Sequence, residues 1–471
     1  MRRVAALRGV RFQPARVGSL EGVIAPPYDV VTRRHIQEYM ERNPYNVIQL
    51  DVGLASTQDL RLGSWDEVGT RFRQWLDAGV LAVDPDPAVY VVRHRYRLMD
   101  GSDHVLTFAL VGLRAGQGPE RAALPHERTV AAVREDRIRQ LRRCRAHFSP
   151  ILALVSDPEL AIQRALEAAC QAPPGATAAA PDGGQIELWV HPAETGPGRA
   201  VMDALAAGVD GHPAIIADGH HRYEAACELA AQEAKGDGVA EEAGARWVLT
   251  GLASLEGGGL SILPVHRIVG PPGASTVERL RLALYDHFLT LSPAELPPSV
   301  RERQKEMVAD PIQAARAVAE IRRHLGRPVA GVVWGPQAIE WMAVPAKAVW
   351  RGNASAPDYS GAAADVAMLH QGPLAAWRPA VDGDGAAPGG ARDQQWIRYT
   401  PDPREAVRMV IEGAAAASIL VAPIHLGDVR DAAAAGRRMP EKSTYFYPKL
   451  TSGLVIQDLD LPVQPWAPPG R

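Results

Sequence analysis

Three features of the sequence predict a mixed α/β or α+β fold, in which a mixed sheet with an antiparallel hairpin is flanked by helices and the chain forms two domains. Strand-length apolar runs alternate with Ala- and Leu-rich helical patterns along the chain, which fits neither an all-α nor an all-β protein. Ala88–Leu98 and His104–Leu113 are joined through Asp100-Gly101, turn chemistry that predicts an antiparallel hairpin. With 471 residues and 46% hydrophobic content, the chain can bury more than one core. Gly270–Gly273, with two prolines inside it, marks the expected boundary between an N-terminal α/β domain (1–270) and a C-terminal α/β domain (271–471).

Thr32 is placed to cap a helix running to about Arg42, where Asn43-Pro44-Tyr45-Asn46 ends it and Val47–Leu50 reads as a strand. A second helix begins near Ser64, puts Val68, Phe72 and Trp75 on one face, and stops at Gly79. The hairpin follows. Asp136–Arg145 reads as a helix whose charges form a solvated face. Ile151–Val155 is a strand, Pro158–Gln171 a helix, and Ala172–Gly184 a Pro/Ala/Gly loop. Ile186–Val190 resumes a strand and Gly198–Ala207 a helix, while Arg246–Ala253 and Leu260–Val269 are strands. Beyond the boundary, helices are expected at Thr276–His287, Pro311–Leu325, Pro403–Glu412 and Leu426–Gly436. Strands are expected near Val329–Trp334 and at Ser418–Pro423, and Val381–Arg392 as a flexible segment.

Composition narrows the function classes. A formal charge of −3 gives no basic excess for coating nucleic acid, and no helix-turn-helix is evident. Three scattered cysteines without a C-x-x-C spacing predict neither a disulfide scaffold nor a structural zinc, and point to a reduced, cytoplasmic protein. Met1-Arg2-Arg3 is not followed by a signal-peptide core, and the richest apolar stretch, Ala414–Ile424, is too short to span a bilayer. Neither a membrane nor nucleic acid is the expected partner. Nothing in the sequence indicates an oligomeric state.

The most informative stretch is Ile215-Ile216-Ala217-Asp218-Gly219-His220-His221-Arg222-Tyr223. An apolar strand ends in Asp-Gly, and the cationic residues fall where an Ala-rich helix begins. Free N–H groups and the positive dipole end make such a junction suited to anions. Gly219 permits close approach of backbone to a ligand, and His220, His221 and Arg222 add donors for phosphate or carboxylate. The structural alternative has Asp218 capping the helix and Arg222 pairing with a surface acid.

Lysine usage is a second signal. The chain has five lysines against 46 arginines, and two of the five lie within Met439-Pro440-Glu441-Lys442-Ser443-Thr444-Tyr445-Phe446-Tyr447-Pro448-Lys449. A site that needs a compact point charge keeps Lys where codon bias elsewhere writes Arg. The alternative is an aromatic strand with a lysine at each end. Ile24–Val31, with Pro26-Pro27 and Asp29, is either a turn or a ligand contact. His126-Glu127-Arg128-Thr129 offers four functional groups, but Val130 stands where a zincin would carry its second His. Neither a Walker loop nor a G-x-S-x-G elbow is present.

Taken together, Ile24–Asp29, Asn43–Leu50, His126–Thr129, Ala217–Glu224, Pro264–Arg267 and Met439–Lys449 resemble the domain-of-unknown-function 1015 family across essentially the whole chain. The strand–Asp-Gly-His-His-Arg–helix unit is also similar to the phosphate-contacting segment of the ParB/sulfiredoxin superfamily, which includes free-serine kinases and nucleotide-hydrolysing partition proteins. Pro264-Val265-His266-Arg267 departs from the family's Pro-Thr-His-Arg, so position 265 brings no hydroxyl.

These likenesses imply a kinase-like phosphotransferase acting on a small polar metabolite, with a serine-like amino acid as first acceptor. Its donor would be a nucleotide or pyrophosphate with Mg²⁺. In that reading Gly219, His220, His221 and Arg222 hold donor phosphates with Ser443 and Thr444, and Lys442 or Lys449 neutralises developing charge. Asp29 or Asp218 orients the acceptor hydroxyl or Mg²⁺. Arg267 or Arg128 clamps a carboxylate, and His126 lines the pocket. The alternative is a nucleotide- or metabolite-binding regulator that catalyses nothing.

Overall fold

The structure is a computed structural model that describes residues 2–52, 64–116, 118, 121–234, 240–270, 273–337, 339–345, 361–377, 396–440 and 442–467. The expected flexible segment Val381–Arg392 lies outside the described residues. Contacts divide the chain into two units: Met1–Pro125 with Thr129–Leu260 and Pro448–Arg471, and His126–Arg128 with Ser261–Tyr447.

The first unit is built on a mixed ten-stranded sheet. Its main path runs Ala123–Pro125, Ala214–Asp218, Ile151–Val155, Trp247–Ser254, Asp103–Arg114, Ala88–Arg97, Gln185–Pro192, Ala176–Ala179. Ala214–Asp218 is parallel to Ala123–Pro125 and antiparallel to Ile151–Val155. Both inner strands are buried along their whole length, which accounts for their unbroken apolar sequences. Apolar residues of the helices Ala131–Cys144, Ala161–Ala169, Gly196–Gly211 and His220–Glu233 join sheet residues in one core. A second core gathers Tyr28, Ile36, Tyr39, Phe72, Trp75 and Phe148 around the N-terminal segments.

Helix starts follow the sequence closely. Thr32 Oγ1 accepts from His35 N at 3.3 Å ahead of Arg33–Arg42, and Ser64 Oγ accepts from Glu67 N at 3.3 Å ahead of Trp65–Asp77. The hairpin pairs Arg97 with Asp103 and turns through Gly101 at φ 85°.

Four expectations are corrected. Val47–Leu50 is not a strand, because Ile48–Asp51 forms a helical turn. Asn46 Oδ1 accepts from Ile48 N at 2.9 Å and starts that turn, while the run reads as continuously apolar because packing surrounds it. The helix expected at Asp136–Arg145 carries only part of its charge on a solvated face: Arg139, Arg142 and Arg143 are exposed, but Asp136 and Arg137 are not. Arg137 is buried, bonds Asp136 at 2.7 Å, and lies over the rings of Tyr28 and Trp65. Ala172–Gly184 contains the edge strand Ala176–Ala179. Finally, Leu260–Val269 is two strands, Ser261–Leu263 and His266–Val269, separated at Pro264, which has no N–H to donate.

The second unit carries a six-stranded antiparallel sheet in the order Leu289–Thr290, Ile339–Ala343, Val329–Val333, Ala417–Val421, His266–Val269, Ile397–Thr400. Val269, Leu280, Leu284, Met342, Leu369 and Trp377 are among its core residues. A separate ribbon pairs Ser261–Leu263 with Tyr445–Tyr447. Among the described residues, no helix is long and apolar enough to cross a membrane.

Candidate functional site

Asp218 is the last residue of its strand, paired with Leu152 beyond a register shift between Ile216 and Asp218. Gly219 follows at φ 88° as the N-cap of the helix His220–Glu233. A Cβ there would sit 2.7 Å from Ile151 Cγ2, so both the left-handed backbone and the close packing require glycine. The junction read from the sequence is therefore present, with its helix beginning at His220.

Asp218 is held by two cations. Arg222 Nη2 donates to its Oδ2 at 2.9 Å from one turn up the helix, and Lys449 Nζ donates to its Oδ1. All three side chains are largely buried, at 7% exposure for Arg222, 11% for Asp218 and 13% for Lys449. Arg222 Nη1 also donates to Pro150 O at 2.5 Å, and its buried Nε has no hydrogen-bond partner among the described residues. Burial works against the Arg222 charge, but Asp218, Asp29, Tyr28 and Asp51 outweigh it and raise its pKa. Arg222 is thus turned inward to fix Asp218 and the Pro150 carbonyl.

The two histidines differ. His220 is buried at the first helical position, whereas His221 Nε2 accepts from Val130 N at 2.9 Å. Neighbours on a helix diverge by about 100°, which separates them. Asp29 is exposed in a short 3₁₀ turn, near enough to Arg222 for its charge to be felt. Burial pushes the Tyr28 hydroxyl up to about 12, against the pull of Arg137.

Beside Arg222 lies a polar cluster that sequence reasoning missed. Ser452 Oγ donates to Asp51 Oδ2 at 2.9 Å, Ser149 Oγ bonds the same oxygen, and the two hydroxyls are 2.6 Å apart. Asp51, Ser149, His147, Arg137 and Arg222 line a cavity of about 10 Å³, the space of one water molecule. Burial pushes His147 down to about 4. The sequence signal was only a polar residue at the edge of an apolar run, at Asp51 and again at Ser149.

The remaining predicted residues assemble within the second unit. His126 is buried, with Nε2 3.2 Å from Thr444 Oγ1 and its ring edge-on to Phe446. Lys442 N donates to Glu127 Oε1 at 2.9 Å, and its carbonyl accepts from Arg267 Nη2 at 3.1 Å. Ser443 Oγ donates to Pro440 O at 2.6 Å. Arg267 has no exposed surface; its Nε donates to His370 Nε2 at 3.1 Å, its Nη1 to Val265 O, and it lies over the Tyr399 ring. Burial lowers its pKa to about 10. Arg267 thus holds the Lys442 carbonyl from a buried position, while Arg128 is exposed.

The structure thus joins Asp218, Gly219, His220, Arg222 and Lys449 in one constellation, with Asp29 within electrostatic reach. It joins His126, Arg267, Lys442, Ser443 and Thr444 in another, and Glu127 enters that second group unassigned by the sequence reading. Among the described residues, no group of three His, Cys, Asp or Glu could hold a metal ion.

Solved structures similar to the chain include a free serine kinase in complex with AMP, at 11% identity over 72% of this chain and 89% of that one, with a TM-score of 0.34. A conserved hypothetical protein from Pyrococcus furiosus matches at 12% identity over 72% and 94%, with a TM-score of 0.34. C-terminally truncated SbnI from Staphylococcus aureus matches at 11% over 72% and 84%, with a TM-score of 0.31. No curated protein matches the sequence. The model of the family described as protein of unknown function (DUF1015) matches residues 4–337, most of the chain, and the chain belongs to that family.

Proposed function

We propose that this protein is a phosphotransferase that moves a phosphoryl group from a nucleotide or pyrophosphate to a hydroxyl of a small polar metabolite, a serine-like amino acid first. One observation carries the reading: Asp218 ends a buried strand at a helix N-terminus, with Arg222 and Lys449 both on its carboxylate. Phosphoryl transfer needs cations around the transferring group and an oriented acceptor more than covalent help. Lys449 supplies a compact charge beside the N–H groups that open the helix His220–Glu233, and His220 lies in the same first turn. Two cations on one carboxylate suit Asp218 to orienting, so proton acceptance from the acceptor hydroxyl falls to exposed Asp29.

The donor chemistry fits Mg²⁺ carried in with the phosphates. Magnesium commonly takes one or two protein carboxylates and completes its shell with phosphate and water, and exposed Asp29 is an oxygen donor of that kind, whereas both oxygens of Asp218 are held by Arg222 and Lys449. When bound, it would neutralise charge on the donor phosphates.

The test is to incubate the full chain with ATP, ADP or pyrophosphate and a mixture of hydroxyl-bearing metabolites, following products by ³¹P NMR and mass spectrometry. A single phosphorylated acceptor whose formation Asp218→Asn abolishes supports the reading. The grip of two cations on Asp218 also favours a second reading, a nucleotide- or metabolite-binding regulator. Saturable nucleotide binding with no phosphorylated product would favour that reading over the enzyme.

A further inference from the structure

Tyr28 is buried and its neighbour Asp29 exposed, although both lie in one three-residue 3₁₀ turn, Tyr28–Val30. Two guanidinium groups lie over the Tyr28 ring, Arg137 at 4.1 Å and Arg222 at 6.0 Å from its centre. A cation over an aromatic face is drawn to the ring's quadrupole, more strongly where water is excluded. Burial pushes the Tyr28 hydroxyl up to about 12, so it stays neutral and the ring is what the two cations meet. Arg222 is also the residue that holds Asp218. One ring therefore links the Asp29 turn to the end of the strand Ala214–Asp218, and the Asp29 charge is felt at both Tyr28 and Arg222.

Arg137 is itself held from several directions. Its Nη2 donates to Asp136 Oδ2 at 2.7 Å, and its Nη1 donates to Gln140 Oε1 and to Asp51 O, each at 3.2 Å. Its guanidinium also lies 4.9 Å from the centre of the Trp65 ring, and Trp65 Nε1 donates to Asp136 Oδ1 at 3.0 Å. Asp136 and Arg137 are both buried. A buried ion pair is a weak source of stability, because apolar residues of the same volume serve as well. What this one supplies is direction: a planar fork tied at its end nitrogens presents its face to Tyr28 and Trp65. Pro26 and Pro27 restrict the backbone that enters the turn, and Val30 N donates to Pro27 O at 3.2 Å. With ring and backbone both fixed, the freedom left to Asp29 is that of its own side chain.

We propose that Tyr28 and Arg137 are positioning residues: Arg137 pins the Tyr28 ring beside Arg222, and this fixes the turn that presents the Asp29 carboxylate to the acceptor hydroxyl. The inference rests on the reading that Asp29 accepts the acceptor's proton. Neither residue touches the phosphates, so the pair governs turnover and leaves donor binding alone.

The test is steady-state kinetics of the full chain with ATP, ADP and pyrophosphate as donors and serine as acceptor, with pyrophosphate titration by calorimetry and thermal unfolding alongside. Tyr28→Leu removes the ring and should lower kcat about tenfold or more while pyrophosphate affinity is kept. Tyr28→Phe keeps the ring and should hold kcat within about twofold of wild type. Arg137→Lys keeps the charge without the fork and should lower kcat in the same way as Tyr28→Leu. The decisive comparison is Tyr28→Leu in an Asp29→Asn background, which should lose no more kcat than Asp29→Asn alone, because Tyr28 acts through Asp29. A merely structural role would give losses that multiply. Multiplying losses, wild-type kcat in Tyr28→Leu, or equal damage in Tyr28→Phe and Tyr28→Leu overturns the proposal. A wild-type chain that forms no phosphorylated product, or one whose turnover survives Asp29→Asn, fails the underlying reading and this inference with it. Turnover that needs Asp29 but not the Tyr28 ring sinks this inference alone.

Discussion

Arg222 reaches back one helical turn to Asp218, Nη2 to Oδ2 at 2.9 Å, with both side chains buried. The contact ties the first turn of the helix His220–Glu233 to the end of the strand that precedes it. The second arm of the guanidinium, on Pro150 O, ties the same helix to the start of the neighbouring strand Ile151–Val155. One side chain therefore sets the relative positions of strand end, helix start and Asp218. Arg222 is a structural support of the site before any ligand arrives.

Arg222→Ala should accordingly destabilise the fold by about 3–5 kcal/mol, the usual cost of removing one partner from a buried ion pair. Arg222→Lys keeps the charge but cannot serve Asp218 and Pro150 O with one planar fork, so a smaller loss is expected. Urea denaturation of both variants measures this. Wild-type stability in Arg222→Ala would return Arg222 to the role of a ligand contact alone.

Gly219→Ala should cost roughly 1–3 kcal/mol through backbone strain, with a steric term added. The added Cβ would lie 2.7 Å from Ile151 Cγ2 and 3.0 Å from Ile151 Cβ, atoms of a stiff, buried strand residue. Thermal unfolding should show a clear drop in midpoint. A midpoint at or above the wild-type value would contradict the left-handed assignment.

Acid should weaken the fold through its buried histidines. Burial pushes His147 down to about 4 and His266 down to about 3, against an ordinary value of 6.5. Between those values and 6.5 the unfolded chain binds more protons than the folded one, so stability falls as pH drops through that window. The contribution is fully present above about pH 6.5, and for His147 it amounts to roughly 3 kcal/mol by the conversion of pKa shift to free energy. Denaturation midpoints from pH 7.5 to pH 4 measure it. His147→Gln should flatten the curve over pH 6.5 to 4, and an unchanged slope would count against the burial argument.

Local signals in the sequence were legible where one short segment contains all the physics. Strand, Asp-Gly and helix start lie within ten residues around Asp218, and Thr32 and Ser64 cap helices with their own neighbours. What escaped depends on distant segments meeting. Asp51, Ser149 and Ser452 are far apart in sequence, and no local pattern announces that their side chains share one cluster. The charges of Asp136 and Arg137 looked solvated because helical periodicity cannot show that the rings of Tyr28 and Trp65 cover the guanidinium. Val47–Leu50 looked like a strand because burial on all sides erases the helical stripe. The full burial of Arg267 was equally hidden, because residue type and not burial is what a sequence displays.

The last prediction concerns Lys449, the lysine that reaches Asp218. Its side chain is 13% exposed, so its charge is neither freely solvated nor deeply buried, and it reaches the carboxylate as a compact point charge. Lys449→Arg keeps the charge but puts a flat fork against a carboxylate that Arg222 already holds. Two guanidinium groups would then compete for one pair of oxygens, and the larger head would take up space beside the helix N-terminus. The fold should tolerate this, because the charge balance around Asp218 is unchanged. Affinity for a phosphate probe such as pyrophosphate should fall by about 1.5–3 kcal/mol, the scale of a charge-assisted hydrogen bond. Lys449→Met removes the charge and should lower affinity at least as far, while Asp218 keeps its bond to Arg222. Calorimetry on folded variants separates the two roles that Lys449 could have. Loss of affinity with retained stability in Lys449→Arg supports a phosphate contact. Wild-type affinity in both variants would leave Lys449 as no more than the second cation that anchors Asp218.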